Sequence, residues 1–257
     1  MVDFSKFKYV DFILLNEELS FHPGGLISTF NLISNTSGLD KEKSILDIGC
    51  GNGISLKMLH KLGYKNLYGY DSSQNFSNST KDLKDGINYV YDLDKIQSTH
   101  IYLILIESLL NFISPIEEAT VIETINKIIY KYKIKYLAIV DFYSIVQLSN
   151  EFKSKLNSVF NIKNIKSTTT IYSFLNNAIP NSKIIYYKDH LLTINLTERF
   201  KSLDLVDKLF ENKFLPNPFR NKDEANIYFS NFINEILTLY KSFTEQFKYF
   251  ECILSLS

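Results

Sequence analysis

The glycines of this chain are concentrated in one region, and their spacing there constrains the fold more than any other feature. The chain has 9 glycines in 257 residues, and five of them fall between Gly49 and Gly69. Gly49, Gly51 and Gly53 alternate with other residues directly after the apolar run 44–48. Glycine is expected where the backbone bends sharply or lies against a ligand. The segment therefore predicts a strand, a tight ligand-binding turn and then a helix.

Apolar runs of strand length alternate with helical patterns along the chain. Short strands are predicted at residues 44–48, 66–70, 87–91, 101–106 and 136–140. Helices are predicted at 54–62, at 77–83 and from Pro115 to about Tyr130, the last with Ser114 as its N-cap. Further along, helices are predicted at 144–160, 197–210 and 225–247, and strands at 183–188 and 249–256. Apolar strands that alternate with helices indicate an α/β fold with a mostly parallel sheet covered on both faces.

Carboxylates stand where several of these strands end. Asp71 follows the second predicted strand, Asp92 the third and Glu107 the fourth. In open α/β sheets ligands bind outside the carboxyl ends of the strands, so these side chains and Gly49 should meet at one rim. Asp71 there can accept hydrogen bonds from both hydroxyls of a ribose, and Asp92 can accept from the amino group of adenine. Asp94 is the alternative for the second role.

The spacing of the glycines separates this segment from two common nucleotide-binding loops. It is G-x-G-x-G rather than the G-x-G-x-x-G of dinucleotide folds, and no Gly-Lys-Ser/Thr follows it as in P-loop enzymes. A dehydrogenase and a P-loop NTPase are therefore disfavoured. The residues describe an adenosine pocket that does not need to bind phosphate.

At these residues the chain resembles the class I S-adenosylmethionine-dependent methyltransferases. The resemblance rests on the segment 45–53, on Gly69-Tyr70-Asp71-Ser72-Ser73 and on Val90-Tyr91-Asp92-Leu93. It implies that S-adenosylmethionine is the cofactor, that Asp71 holds its ribose hydroxyls, and that Asp92 with the amide of Leu93 reads its adenine. Asp47 either orients the loop or reaches the methionine ammonium through water. The cofactor-binding residues that the resemblance implies are Asp47, Gly49, Cys50, Gly51, Asp71, Ser72, Asp92, Leu93 and Glu107.

The same resemblance implies a Rossmann-like sheet of seven strands, mostly parallel with the last strand antiparallel, and helices on both faces. A bacterial subgroup is similar in a further respect, through a Pro-Gly-Gly-Leu segment after His22 and through Asp189-His190 after the sixth strand. We expect a single methyltransferase domain over residues 1–257, with an N-terminal helical segment at 1–40. A helical insertion at 195–247, before the last strand, is expected to cover the methyl acceptor.

Four residues are candidates for the acceptor side of the site. Glu107, after a fully apolar strand, can bind the methionine amine or a proton of the acceptor, and a solvated strand end is the alternative. His22 and His190 can each act as a base, because histidine titrates near neutral pH; the alternatives are a helix-end cap and a rim hydrogen bond. Tyr143 either contacts the acceptor or packs. Adjacent strand residues point to opposite faces, so a direct pair between Asp189 and His190 is not expected.

Composition narrows the choice of acceptor. Lys plus Arg and Asp plus Glu are both 28, and this zero net charge argues against nucleic acid as the acceptor. The Asn-Pro-Pro-Tyr motif of many amino-methylating enzymes is also absent after the fourth strand. A small-molecule acceptor, methylated by in-line displacement, is the leading hypothesis. A peptide or protein acceptor is one alternative, and a family member that binds the cofactor without turnover is the other.

The cysteines and the apolar runs exclude further classes of site. Cys50 and Cys252 are too few for a zinc or iron–sulfur centre, and no other cluster of metal ligands is present, so no metal is predicted. Cys50 is interpreted as a small side chain between glycines. The first residues lack the basic start and apolar run of a signal peptide, and no apolar run is long enough to span a bilayer. The sequence predicts a cytoplasmic protein without membrane contact, and it does not define the oligomeric state.

Overall fold

A seven-stranded sheet runs through the molecule in a computed structural model that describes residues 11, 15, 20, 22–73, 86–96, 100–192, 204–211 and 217–256. Its strands are β1 (Ser44–Ile48), β2 (Asn66–Tyr70), β3 (Asn88–Val90), β4 (Leu103–Glu107), β5 (Tyr136–Ser144), β6 (Ser182–Leu191) and β7 (Phe247–Leu256). They are arranged in the order β3-β2-β1-β4-β5-β7-β6. Strands β1 to β5 pair in parallel, whereas β7 is antiparallel to both β5 and β6. The predicted Rossmann-like sheet with an antiparallel last strand is therefore confirmed.

Helices cover both faces of this sheet. They are α1 (Gly25–Asn35), α2 (Ile54–Lys61), α3 (Pro115–Tyr132), α4 (Asn150–Phe160), α5 (Thr168–Asn177), α6 (Leu205–Glu211) and α7 (Lys222–Gln246). Helices α1 and α2 pack on the face that carries Ile45 of β1, and α3 and α5 pack on the face that carries Leu46. Neighbouring residues of one strand point to opposite faces. The two packed layers therefore explain why the central strands are apolar at nearly every position.

A third apolar core joins the C-terminal helices to the extended end of β5. Phe142 lies two residues beyond Val140, which pairs with the last residue of β4. Its ring meets that of Phe247 edge to face at 5.9 Å, and side chains of α4, α6 and α7 pack around the pair. Phe232 and Ile236 of α7 are fully buried there. The described part of the predicted insertion at 195–247 consists of α6 and α7, and both contribute to this core.

The strand order fixes where a ligand can bind. Strands β1 and β4 are neighbours in the sheet, but the chain continues from β1 to β2 on one side and from β4 to β5 on the other. At such a switch point the connections diverge and leave a crevice outside the carboxyl ends of the two strands. Gly49 follows β1 and Ser108 follows β4, so both border this crevice.

The start of α3 shows how local sequence fixes a boundary. The N–H of Glu117 donates to Ser114 Oγ at 3.2 Å, and the N–H of Ser114 donates to the Glu117 carboxylate at 2.7 Å. Pro115 occupies the first helical position, where its missing N–H costs nothing. This reciprocal capping box satisfies two donors that the helix itself cannot pair. The predicted start of this helix is confirmed.

Strands β5 and β6 continue well beyond their predicted ends. Strand β5 continues to Ser144, because its N–H donates to Lys166 and its neighbours pair with β7, so the helix predicted from residue 144 begins only at Asn150. Strand β6 continues to Leu191, so Asp189 and His190 lie within the strand and not after it. In both cases, pairing with the distant β7 extends a strand beyond its apolar run.

One helix was missed and one prediction lies outside the described residues. Helix α5 begins with three threonines, which have low helix propensity, and it depends on the Ser167 N-cap for its first turn. The helix predicted at 77–83 lies outside the described residues, as does most of the segment 1–21.

Candidate active site

The glycine segment forms a turn that backbone hydrogen bonds hold against β2. Gly49 and Gly51 have φ angles of 82° and 53°, in the left-handed region that glycine enters without a Cβ penalty. The N–H groups of Gly49 and Cys50 both donate to the carbonyl of Tyr70, at 2.7 and 3.1 Å. Helix α2 follows at once, with Gly53 as its N-cap. The turn therefore brings backbone N–H groups and the positive end of a helix to the carboxyl edge of the sheet.

Gly69 is needed for packing, not for its backbone angles. A Cβ at this position would lie 2.8 Å from Leu56 Cδ1, 3.0 Å from Cys50 Sγ and 3.1 Å from Tyr89 Cδ1. All three distances are shorter than ordinary van der Waals contacts. The glycine turn and α2 can lie against β2 only because this residue has no side chain.

Asp71 lies at the end of β2 and faces the glycine turn. Its two carboxylate oxygens accept hydrogen bonds from the N–H groups of Gly51, at 3.0 Å, and Ser73, at 2.8 Å. Burial raises the pKa of Asp71, and these two backbone donors oppose the rise. A carboxylate has about four acceptor positions, so its oxygens are suited to hydrogen bonds from the hydroxyls of a ligand. Ser72 beside it is exposed.

Asp92 follows the carboxyl end of β3, and Asp94 lies two residues further along the chain. Its carboxylate accepts from the N–H of Asp94 at 2.9 Å, and its side chain is exposed at the rim. Asp94 itself forms a 2.7 Å ion pair with Lys131. Leu93 is half-buried, and its carbonyl accepts from the Tyr132 hydroxyl at 3.0 Å. Asp92 and Asp94 were the two candidates for the hydrogen bond to adenine. In the described region Asp94 has a lysine partner and Asp92 has none.

Asp47 is a buried carboxylate with an unused acceptor. Its side chain is 2% exposed, and Oδ1 has no hydrogen-bond partner among the described residues. Burial raises the pKa of Asp47 well above its usual range, and the charges of Glu107 and Asp71 raise it further. In the described part of the chain, neither Asp47 nor Glu107 forms an ion pair with lysine or arginine. This group of carboxylates favours a cationic ligand.

Glu107 is held by two hydroxyl groups from different helices. Thr29 of α1 donates to Oε1 at 2.7 Å, and Ser55 of α2 donates to Oε2 at 2.5 Å. The glutamate side chain is 5% exposed, and both hydroxyl-bearing residues are buried. Hydrogen bonds to an ionised carboxylate are stronger than those between neutral groups. Glu107 therefore ties α1 to the first turn of α2 at the edge of the crevice, and it is not the solvated strand end that was one alternative.

His22 completes this cluster, with both ring nitrogens occupied. Nε2 lies 3.4 Å from Glu107 Oε2 and 3.3 Å from Thr29 Oγ1. Nδ1 lies 3.1 Å from the carbonyl oxygen of Pro23. The structure thus brings together His22 and Glu107, two of the four predicted acceptor-side residues. A base would need a nitrogen that faces the acceptor, so His22 would have to give up one of these contacts before it could act as one.

Tyr143 lies on the opposite face of the sheet from Glu107. It is 2% exposed and packs against Phe250 in the core beneath α3 and α5. Its hydroxyl donates to Asp189 at 2.9 Å, and burial with this carboxylate raises the pKa of Tyr143. Tyr143 therefore packs in the core and does not lie on the face of Glu107. Phe142 is the neighbouring residue that points to the face of Glu107.

His190 lies on the same face as Glu107 but two strands beyond β5. Its ring stacks on Tyr249 at 4.6 Å, and Nε2 lies 3.3 Å from Glu251 Oε1. The two Glu251 oxygens also accept from Asn31 of α1 at 3.1 Å and from the Tyr186 hydroxyl at 2.9 Å. As expected, His190 and Asp189 point to opposite faces. Glu251 was missed from the sequence, although it is the only acidic residue in the apolar strand β7.

A cavity lies at the far end of β5, beyond the residues that pair with β4. Its volume is about 420 Å³, and its wall includes Ser144, Ile165 and Lys153. Ser144 lies four residues beyond Val140, which is roughly 13 Å along an extended strand. Its lining contains no aromatic side chain.

Other reactive groups do not form a site of their own. No group of three or more histidine, cysteine or acidic residues that could hold a metal is present among the described residues. Burial raises the pKa of the Cys50 thiol well above its usual range, and the charges of Asp47 and Asp71 add to this rise, so the thiolate is disfavoured. Within the described ranges, no helix is both long and apolar enough to cross a membrane.

Comparison with known families identifies the central part of the chain. Residues 46–120, from β1 into α3, match the model of a family described as a methyltransferase domain. The match, together with the strand order of the sheet, confirms the resemblance to the class I methyltransferases. No curated protein matches the chain.

Solved structures with the same fold align with nearly the whole chain at low sequence identity. The MccD protein has a TM-score of 0.64 and 13% identity, over 93% of this chain and 100% of its own. The [4+2]-cyclase SpnF has a TM-score of 0.62 and 13% identity, over 96% and 92%. A phosphoethanolamine N-methyltransferase of Haemonchus contortus, solved with phosphomonomethylethanolamine and S-adenosylhomocysteine, has a TM-score of 0.60 and 12% identity. The alignment includes 96% of this chain but only 56% of the length of that enzyme. These likenesses define the fold.

Proposed function

We propose that this protein transfers a methyl group from S-adenosylmethionine to a small-molecule acceptor by in-line displacement. The observation that carries the proposal is the junction of β1 and β4. A glycine turn, the ribose-type carboxylate Asp71 and the unsatisfied carboxylate Asp47 all border one crevice there. The match of residues 46–120 to a methyltransferase domain supports it.

The residues of the crevice fit the parts of S-adenosylmethionine. Asp71 would accept from the two ribose hydroxyls, and Asp92 with the Leu93 amide would contact adenine. Asp47 and Glu107 would face the methionine ammonium, because both are carboxylates without a lysine or arginine partner in the described region. Bound there, the cofactor supplies a methyl carbon that its sulfonium makes electrophilic. The protein then has to align the acceptor and exclude water.

The acceptor would approach from the side of β5, where aromatic and apolar side chains follow the rim. Phe142 extends beyond Glu107 on the same face, and Tyr249 is its partner in the neighbouring strand. Side chains of α6 and α7 pack in the same apolar core as Phe142. Structures of similar fold were solved with small acceptors or their analogues, among them phosphomonomethylethanolamine, geranyl diphosphate and N-methylheliamine. These neighbours support a small molecule over a peptide.

The test is transfer of label from S-adenosylmethionine with a radioactive methyl group. The protein is incubated with cell extract that has been separated into small molecules and macromolecules. We expect label in the small-molecule fraction with wild type and loss of transfer with Asp71→Asn. Asp94→Asn is the matched control, because this nearby carboxylate faces Lys131 and should leave transfer unchanged. Label in the protein fraction alone would favour the peptide alternative, and no label in either fraction would contradict the proposal.

A further inference from the structure

Ser108 adopts a backbone conformation that serine rarely takes. It directly follows Glu107 at the end of β4, and its φ angle is 58°. Its N–H donates to the carbonyl of Val140 at 2.7 Å, so the conformation is fixed by pairing with β5. For residues with a Cβ, the left-handed region is strained, and such strain is concentrated at functional sites.

The backbone of Ser108 has a clear task, but its hydroxyl does not. The turn at Ser108 lays Leu109 over the glycine turn, where Leu109 Cδ1 lies 3.1 Å from the position of a Cβ on Gly49. Glycine or asparagine would make this turn at lower cost. The Ser108 hydroxyl oxygen is buried, and it has no hydrogen-bond partner in the described part of the chain. The residue therefore carries both strain and an unsatisfied polar group, with no compensating contact from the residues described.

The position of the hydroxyl indicates what could satisfy it. Ser108 lies between the glycine turn that follows β1 and Val140 of β5, on the rim that carries Asp47 and Glu107. Under the proposed function, the donor occupies the β1 side of this rim and the acceptor arrives from the β5 side. Ser108 stands where the two meet.

We propose that Ser108 Oγ hydrogen-bonds the acceptor atom that receives the methyl group, and that this atom is nitrogen or oxygen, not carbon. The inference rests on the proposed function. In the transfer, a lone pair of the acceptor forms the bond to the methyl carbon, and the carbon–sulfur bond breaks with its electron pair on sulfur. A neutral amine becomes an ammonium; a hydroxyl acceptor passes its proton to water. Ser108 orients the acceptor by accepting from its N–H or O–H, and leaves the lone pair directed at the methyl.

The test compares two cofactor analogues in the full chain by titration calorimetry. S-adenosylhomocysteine has nothing at the position of the transferred methyl, whereas sinefungin carries an amine there, next to the place that the acceptor atom would occupy. Ser108→Ala removes the hydroxyl and keeps the backbone strain, and Ser108→Gly removes both. We expect each substitution to raise the dissociation constant of sinefungin on the order of tenfold, because a hydrogen bond to a charged amine is lost. The dissociation constant of S-adenosylhomocysteine should change less than about twofold.

A thermal melt of the same variants separates binding from folding. The Ser108→Gly variant should have a higher melting temperature than the Ser108→Ala variant, because glycine relieves the left-handed strain. Both variants should lose affinity for sinefungin to the same extent. If both variants keep the wild-type affinity for sinefungin, or weaken both analogues alike, the inference is overturned while the proposed function stands. If S-adenosylhomocysteine fails to bind the wild type, the proposed function fails and the inference falls with it.

Discussion

The hydroxyl of Thr29 should contribute measurably to the stability of the protein through its bond to Glu107. Thr29 is completely buried, and its hydroxyl donates to Glu107 Oε1 at 2.7 Å. Thr29→Val replaces this hydroxyl by a methyl group of similar size and leaves one oxygen of a buried carboxylate without its donor. Loss of a hydrogen bond to a charged group costs about 1.5–3 kcal/mol. We therefore expect the free energy of unfolding to fall by about 2–3 kcal/mol.

Thr29→Ser is the matched control for this prediction. It keeps the hydroxyl and removes one buried methyl group, which costs about 0.8 kcal/mol. Urea unfolding followed by far-ultraviolet circular dichroism suits this chain, because it contains no tryptophan for fluorescence. The valine variant should be less stable than the serine variant by at least about 1 kcal/mol, with the same dependence on urea. Equal stability of the two variants would refute the claim that Glu107 holds α1 through this hydroxyl.

Three further predictions concern packing, pH and ligand linkage. Gly69→Ala should lower the free energy of unfolding by about 2–3 kcal/mol, because its Cβ would lie 2.8 Å from Leu56 Cδ1. Gly63→Ala, with no atom within 4 Å, should cost only about 1 kcal/mol of left-handed strain in the same urea assay. Burial raises the pKa of Asp141 to about 6, so the folded protein binds this proton more tightly than the unfolded chain does, and the stability from Asp141 is lost as pH rises through 6. Asp141→Asn should therefore reduce the gain in stability from pH 7 to pH 5 by about 1 kcal/mol, measured by urea unfolding at each pH. Binding of S-adenosylhomocysteine should release a proton from Asp47, because the ligand ammonium lowers its raised pKa, and calorimetry in buffers of different ionisation enthalpy should detect the release in wild type but not in Asp47→Asn.

Each of these has a contrary outcome. Equal losses in the two alanine variants would contradict the packing role of Gly69. If Asp141→Asn leaves the pH dependence of the unfolding free energy unchanged, the raised pKa of the buried Asp141 carboxyl would be contradicted. Proton uptake on binding, or the same release from Asp47→Asn, would place the ammonium away from Asp47.

Much of the fold is encoded locally and could be predicted. The apolar runs at Ser44–Ile48 and Asn66–Tyr70 form strands with the predicted bounds, because a glycine turn ends the first run and an aspartate ends the second. The same logic placed Asp71 and Glu107 on one rim, since parallel strands that end together bring their last residues together. The glycine spacing then indicated the kind of ligand.

The remaining site residues depend on contacts that are remote in sequence. Thr29 and Glu107 are 78 residues apart, and Asn31 and Glu251 are 220 apart. No local pattern marks such partners. Tyr143 illustrates a second limit: which of two neighbouring residues faces the site depends on how β5 pairs beyond its apolar run. Ser108 shows a third, because its left-handed backbone and unsatisfied hydroxyl are properties of the folded chain alone.

The dissociation constant of S-adenosylhomocysteine, measured by calorimetry for wild type and Asp71→Asn, tests the central claim most directly. Asp71 borders the glycine turn, and a carboxylate at this position can accept from the ribose hydroxyls, so wild type should bind at micromolar concentration. The asparagine variant should bind on the order of tenfold to a hundredfold more weakly, because it loses charge-assisted hydrogen bonds. No binding by wild type at millimolar concentration, or an unchanged constant for Asp71→Asn, would contradict the account.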